Sequence, residues 1–199
     1  MRLEATNLGF RYGQGPWIFR NYNLCIESGS ITALLGDSGT GKSTLAKLLA
    51  GYEKPLEGTV RLEGAAFGAC GYRPVQLIFQ HPEKAVNPRF KMKDILHEGF
   101  RVDETMRAGL GIEPAWLNRY PRELSGGELQ RFCIARALGP KTRFIIADEI
   151  SAMFDPITQA QIWTALLAET SRRGIGILVV THDRPLAEKL CDRFISMGS

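Results

Sequence analysis

The sequence predicts an α/β fold: a mainly parallel sheet, an N-terminal antiparallel β subdomain and a small inserted α-helical subdomain. Three observations carry this. Short apolar runs alternate with helical periodicity over residues 30–51 and again from 128 to 191, the pattern of strand–helix units with parallel strands. The first thirty residues instead read as two β segments separated by Gly-rich turns. Between these regions, residues 91–120 carry helical periodicity broken at Gly99, Gly109, Gly111 and Pro114, with no strong strand.

In chain order, RLEATNLGF and WIFRNYNLCIES are the two N-terminal β segments. SITALLG (30–36) is a short apolar strand running into glycines, and KSTLAKLLAG (42–51) is a helix with Leu45, Leu48 and Leu49 on one face. Gly51 closes that helix. PVQLIF (74–79) is a strand, and the helical subdomain follows over about 86–127. From 128 the core resumes as a helix, a strand RFIIA (143–147), a helix 156–172, a strand IGILVVT (175–181) and a helix 184–191. The chain thus reads as one domain over 1–199, its core about 1–85 and 128–199. Ligands of such sheets bind at the carboxyl ends of the strands.

Composition excludes several classes. With 44% hydrophobic and 23% charged residues, 199 residues can bury a core without disulfides. Cys25, Cys70, Cys133 and Cys191 are scattered, with no Cys-x-x-Cys pair, so they read as reduced thiols of a cytosolic protein rather than a metal site. The start lacks a signal-peptide layout, and the longest apolar run, IGILVV, is too short to cross a bilayer. A net charge of +4 from dispersed residues points to a solvated surface and not to a nucleic-acid groove.

The chemistry begins at GDSGTGKST, residues 36–44, which fits G-x-x-x-x-G-K-[ST] between a strand and a helix. Gly36, Gly39 and Gly41 allow the backbone of Asp37, Ser38 and Thr40 to curl so that successive N–H groups face an anion. The helix that carries Lys42, Ser43 and Thr44 adds its positive end. Lys42 is expected on the β- and γ-phosphates and Ser43 on Mg²⁺. The motif marks a nucleotide site on a P-loop core.

RFIIADEI ends in Asp148 and Glu149, two adjacent carboxylates that repel unless a cation or a proton transfer occupies the space. Asp148 is placed to hold Mg²⁺ and Glu149 to act as general base on the attacking water. His182, after the next apolar strand, could bond the γ-phosphate or that water. LSGGE, Leu124, Ser125, Gly126, Gly127 and Glu128, puts two glycines at the mouth of a helix with no lysine nearby.

Together these motifs resemble the ATP-binding cassette of ABC transporters, in order and over nearly the whole chain. The resemblance implies that GDSGTGKST is Walker A, Gln80 in LIFQHP the Q-loop residue that meets Mg²⁺ and the γ-phosphate, LSGGE the signature, FIIADE Walker B, Asp155 in SAMFD the D-loop and His182 the switch histidine. Tyr12 in FRYG looks like the aromatic that stacks on adenine, though plain core packing, with Phe10 as competitor, is the other reading. VQLIFQHPEKAVNPRF, SGGELQRFCIARAL and TQAQIW are similar to the peptide and nickel importer branch.

The resemblance further implies an ATPase using ATP and Mg²⁺ and a head-to-tail pair of cassettes, identical or related, in which each signature covers the other's ATP. The signature glycines would then be needed so that no Cβ holds the backbone off the γ-phosphate. It also implies transmembrane permease subunits, a substrate-binding protein at one remove, and a place on the cytoplasmic face of the bacterial plasma membrane. Non-transport relatives of the DNA-repair type carry a long coiled coil, and those of the translation type carry two cassettes; neither fits a heptad-free chain of 199 residues. A binding-only regulatory cassette would need to have lost the base, and Glu149 and His182 are both present. Two departures stand out: Met153-Phe154 before Asp155, where the family pattern is Ser-Ala-Leu-Asp, and an acidic Asp37 inside Walker A. The chain also ends soon after His182, so a C-terminal extension is expected to be absent.

Overall fold

The computed structural model describes residues 1–66 and 71–198; Cys70, one of the four thiols considered above, lies outside them. Two sheets form the scaffold. Strands β1 (Arg2–Phe10), β2 (Phe19–Glu27) and β4 (Glu57–Leu62) make an antiparallel sheet in the order β2-β1-β4. Strands β3 (Ile31–Leu35), β5 (Val75–Ile78), β6 (Phe144–Asp148), β7 (Gly176–Thr181) and β8 (Arg193–Ser196) make a second sheet in the order β5-β6-β7-β3-β8, with every pairing parallel. The expectation of a mainly parallel core with an antiparallel N-terminal part is met.

β4 and β8 did not stand out in the sequence. Both are short and mostly exposed or half-exposed along their length, so neither shows a continuous apolar run. Pairing with β1 and with β3 makes them strands.

The central strands are apolar throughout because both faces are covered. Along β6 and β7 alternate residues go to opposite sides: Ile145, Ala147, Ile177 and Val179 to one core, Phe144, Ile146, Leu178 and Val180 to the other. The latter core holds helix α1 (Lys42–Leu49) against the antiparallel sheet, with Leu45, Leu48 and Leu49 fully buried as their spacing predicts. The opposite core packs helices α4 (Gly126–Ala137) and α5 (Pro156–Arg173) on the sheet.

Between β5 and α4 the chain forms short helices α2 (Met92–Leu96) and α3 (Glu104–Gly109) and 3-10 turns at Pro82–Lys84, Pro114–Trp116 and Pro121–Glu123, with no strand among the described residues of this stretch. Met92, Ile95 and Leu96 join the same core as α4. Helix α4 begins at Gly126, two residues before the expected boundary, because Ser125 caps it and Glu128 completes a capping box. Helix α6 (Arg184–Leu190) follows β7.

Candidate nucleotide site

Four adjacent strands, β5, β6, β7 and β3, end on one side of the sheet, and each delivers a residue picked from the sequence. The register sets them level: Asp148 pairs with Val180, and Leu35 with Thr181. A cavity of about 700 Å³ lies beyond these ends, lined by Asp37, Ser38, Gly39, Gly41, Lys42, Ser43 and Thr44, together with Gln80, Glu149, His182 and Ile18. Five sequence segments, separated by 19 to 69 residues, thus converge on one space.

The Walker A loop is shaped by glycine. Gly39 and Gly41 have φ of 86° and 97°, a region side chains avoid, and Gly41 is the N-cap of α1. A Cβ on Gly41 would collide with Ile18, and one on Gly36 would stand 2.7 Å from the Met197 carbonyl oxygen. Thr40 closes the loop, its hydroxyl donating to the Asp37 carbonyl at 2.9 Å. Lys42 is buried and folds over its own loop, Nζ donating to the Gly36 and Asp37 carbonyls at 2.6 and 2.8 Å. An ammonium held by two carbonyl oxygens keeps its third proton for an anion in the cavity. Among the described residues the side-chain oxygens of Asp37 have no hydrogen-bond partner, and nothing here explains its acidity so close to a phosphate cradle.

Ser43 Oγ donates to Asp148 Oδ1 at 3.2 Å. Burial pushes the Asp148 carboxyl above its ordinary range; the Ser43 hydroxyl opposes this, Glu149 adds to it, and Lys42 counters it more weakly. A hydroxyl and a buried carboxylate are hard oxygen ligands that suit Mg²⁺, which takes one or two such groups and completes its shell with phosphates and water. Among the described residues no cluster of three His, Cys, Asp or Glu could hold a metal by itself.

Glu149 has φ of 50°, a left-handed backbone that costs a residue with a side chain about 1–3 kcal/mol and recurs at functional sites. Its Oε1 lies 2.6 Å from His182 Nδ1 and accepts the His182 backbone N–H at 3.1 Å. When Nδ1 carries the proton toward the carboxylate, the neutral ring leaves Nε2 as an acceptor; only a ring protonated on both nitrogens donates on both sides. The neutral ring therefore suits a water molecule and the charged ring a phosphate.

Tyr12 and Phe10 separate cleanly. Phe10 is buried and packs edge-on to Tyr12 with ring centroids 5.0 Å apart. Tyr12 is half exposed, and its hydroxyl reaches Thr44 Oγ1 at 3.5 Å. Phe10 is thus a core residue, while Tyr12 stands half exposed beside Thr44 and outside the cavity lining.

The signature does not join this cavity. Ser125, Gly126, Gly127 and Glu128 line a separate surface pocket of about 390 Å³ with Met153, Phe154, Asp155 and Thr158, and the two pockets share no residue. Ser125 Oγ accepts the Glu128 N–H at 3.3 Å while the Glu128 carboxylate accepts the Ser125 N–H at 2.8 Å. The serine proton stays available to an outside acceptor. Leu124 is half-buried behind the turn, packed on the core. Leu129, Phe132 and Cys133 form the inner face of α4, and burial pushes the Cys133 thiol up to about 12, so it is inert.

The two glycines have a steric reason inside the chain that differs from the one expected. A Cβ on Gly126 would lie 3.1 Å from the Phe154 ring, and one on Gly127 would lie 2.7 Å from the Thr158 methyl. Their missing side chains make room for the Phe154 ring, just ahead of this chain's own α5, and for the Thr158 methyl on it. Asp155 caps that helix, accepting from Ile157 N and Thr158 N at 3.0 Å each, and the Thr158 hydroxyl and then these N–H groups hold its carboxyl below the usual range. Sequence reasoning missed Phe154 and Thr158 as partners of the signature, and it missed Gln130. That side chain is fully buried on α4, donates to the Phe79 carbonyl at 3.4 Å beside Gln80, and has an orphaned Oε1. The Ser-x-x-Glu spacing could have revealed the capping box; the contacts with α5 had no local signal.

Comparison with known proteins agrees with this geometry. The family model for ABC transporters matches residues 19–152. The nickel import ATP-binding protein NikE of Escherichia coli K12 is 34% identical over 225 residues, covering 99% of this chain and 84% of that protein. Its counterpart in Shigella sonnei is 33% identical with the same coverage. Among solved structures, the dimeric bacterial ABC transporter cassette MJ0796 superposes with a TM-score of 0.81 at 25% identity, covering 98% of this chain and 94% of that one. The cbiO1 protein from Clostridium perfringens, part of the ABC transporter complex cbiONQ, gives 0.80 at 25% identity, covering 98% and 83%. No helix among the described residues is long and apolar enough to cross a membrane. With the family model matching residues 19–152 and relatives more than 30% identical over nearly the whole chain, this chain belongs to the ABC transporter family and is an ATP-binding, ATP-hydrolysing subunit of that kind.

Proposed function

We propose that the chain, as one nucleotide-binding domain with a helical subdomain at about 86–127, powers an importer by closing head to tail on a second cassette. The observation that carries this is the separation of the two pockets: the signature shares no residue with the chain's own phosphate cradle. A serine hydroxyl, free N–H groups and a helix N-terminus on an exposed turn need an anion from elsewhere. The MJ0796 cassette is dimeric, and a head-to-tail pair of this chain would make each signature the lid of the partner's ATP.

In this reading Tyr12 stacks on the adenine and the loop Gly36–Thr44 wraps the phosphates, with Lys42 moving from its own carbonyls to the β- and γ-phosphates. Ser43, Asp148 and Gln80 would hold Mg²⁺, which would neutralise charge on the phosphates. Glu149 takes a proton from the attacking water, and His182 orients the carboxylate and holds water or phosphate through Nε2. Asp155 presents the D-loop to the partner. Gln80, at the end of β5, passes occupancy to the helical subdomain, which meets permease subunits at the cytoplasmic face of the plasma membrane. A substrate-binding protein outside the membrane would deliver the cargo. The NikE relatives make nickel the first cargo to test, with peptides second.

Light scattering after size exclusion tests the pairing. Glu149→Gln protein should double its mass on adding ATP; a protein that binds ATP and stays monomeric removes the self-paired form. Loss of radiolabelled nickel uptake on deleting the gene supports the cargo, and unchanged uptake removes it.

A further inference from the structure

The turn between β6 and α5 carries Glu149 at one end and Phe154 near the other, and it is built as a rigid piece. Ser151 is buried, and its Oγ accepts from Gln159 Nε2 at 3.1 Å and Trp163 Nε1 at 2.9 Å, both on α5. Within the turn, Ala152 N donates to the Glu149 carbonyl at 3.2 Å and Phe154 N to the Ser151 carbonyl at 3.2 Å. Met153 is the exposed tip, 65% accessible, while Phe154 is half-buried and packed on the core. The Phe154 ring lies over Gly126, close enough that a Cβ there would stand 3.1 Å away. One turn further, the Thr158 methyl fills the space beside Gly127, and Arg131 Nη2 of α4 donates to Gln161 Oε1 of α5 at 2.7 Å. Three successive turns of α5 and its leader thus abut the first turns of α4.

We propose that Phe154 is a positioning residue that locks the signature turn to the turn bearing Glu149, so that the base of one ATP site and the cover of the other form one body. A planar ring on a glycine makes a flat contact that a smaller side chain would loosen, and packed contacts of this kind shift as units and not by continuous deformation. Displacement of Glu149 at the chain's own site is transmitted through Ser151 and Phe154 to Gly126, which faces the partner. The inference rests on the head-to-tail reading for its consequence, and on intrachain packing alone for its mechanism.

Two measurements keep those apart. In the Glu149→Gln background, the ATP concentration for half-maximal dimerisation should rise at least ~10-fold on adding Phe154→Ala and return to within ~3-fold with Phe154→Leu. ATP affinity at the chain's own cavity should change less than ~2-fold, since Phe154 does not line it. Hydrogen exchange of the nucleotide-free monomer should show faster exchange at amides 125–129 in Phe154→Ala, with the strands unchanged. If the Glu149→Gln parent never dimerises, the self-paired reading fails and exchange alone decides the inference. Unchanged exchange at 125–129 overturns the inference whatever the oligomeric state, as does an unchanged ATP requirement in a dimerising background. Loss of protection throughout the chain would overturn it too, by reducing Phe154 to a general packing residue.

Discussion

His182 holds Glu149 by two hydrogen bonds to one oxygen, Nδ1 at 2.6 Å and its backbone N–H at 3.1 Å, so the carboxylate is oriented by the end of β7 before any nucleotide arrives. Oε2 is left for water. Glu149→Gln should lower ATP turnover by about 10²–10⁴-fold while ATP still binds. His182→Ala keeps the backbone donor and should lose less, about 10²-fold. Rapid turnover by the glutamine variant in a phosphate-release assay would remove Glu149 from the base role.

Asp148 carries a pH signature. Burial raises its carboxyl in the folded chain above the unfolded value. The folded state then holds the proton more tightly, so its stability is highest below the unfolded value and declines as pH rises through the raised one. Asp148→Asn should therefore unfold at a higher temperature than the parent at neutral pH without nucleotide and Mg²⁺. The gap should close on acidification below the ordinary carboxylate range. A gap that widens in acid would reverse the assignment, and differential scanning calorimetry across pH reads it directly.

Ser125 has a structural job as well as an offered proton. Ser125→Ala removes the cap of α4, costing about 1 kcal/mol. For a chain this long that lowers the melting temperature by roughly 2–4 °C. Glu128→Gln retains the box geometry and should shift the melting temperature little. Neither variant should alter ATP binding at the chain's own cavity, which titration calorimetry would show, because no signature residue lines it.

Gly127 meets its own helix α5 before it meets a partner. Gly127→Ala sets a methyl 2.7 Å from the Thr158 methyl and should destabilise the chain by about 1–3 kcal/mol. Thr158→Ser in the same chain removes the obstructing carbon and should recover most of the loss in a denaturant titration. No recovery would mean that the glycine answers to something other than Thr158.

Much of the chemistry was legible because its grammar is local. A P-loop needs glycines, lysine and serine within nine residues, and the carboxylates and His182 each follow an uninterrupted apolar strand. Strand and helix periodicity located the parallel core and α1, α4, α5 and α6. Edge strands β4 and β8 escaped because pairing, not composition, makes them strands. Which of Phe10 and Tyr12 is buried also waited on the fold, since both are aromatic and local spacing does not separate them.

By itself, then, the sequence determined the family and singled out the candidate residues that line one cavity, because each motif depends on neighbours a few positions apart. The tertiary structure decided which groups meet. It set Asp148 on Ser43 and Glu149 on His182, placed the signature outside its own site, and fitted Gly126 and Gly127 to Phe154 and Thr158. Those relations depend on the register of β6 and β7 and on α4 packing against α5, long-range contacts that leave no trace in local spacing.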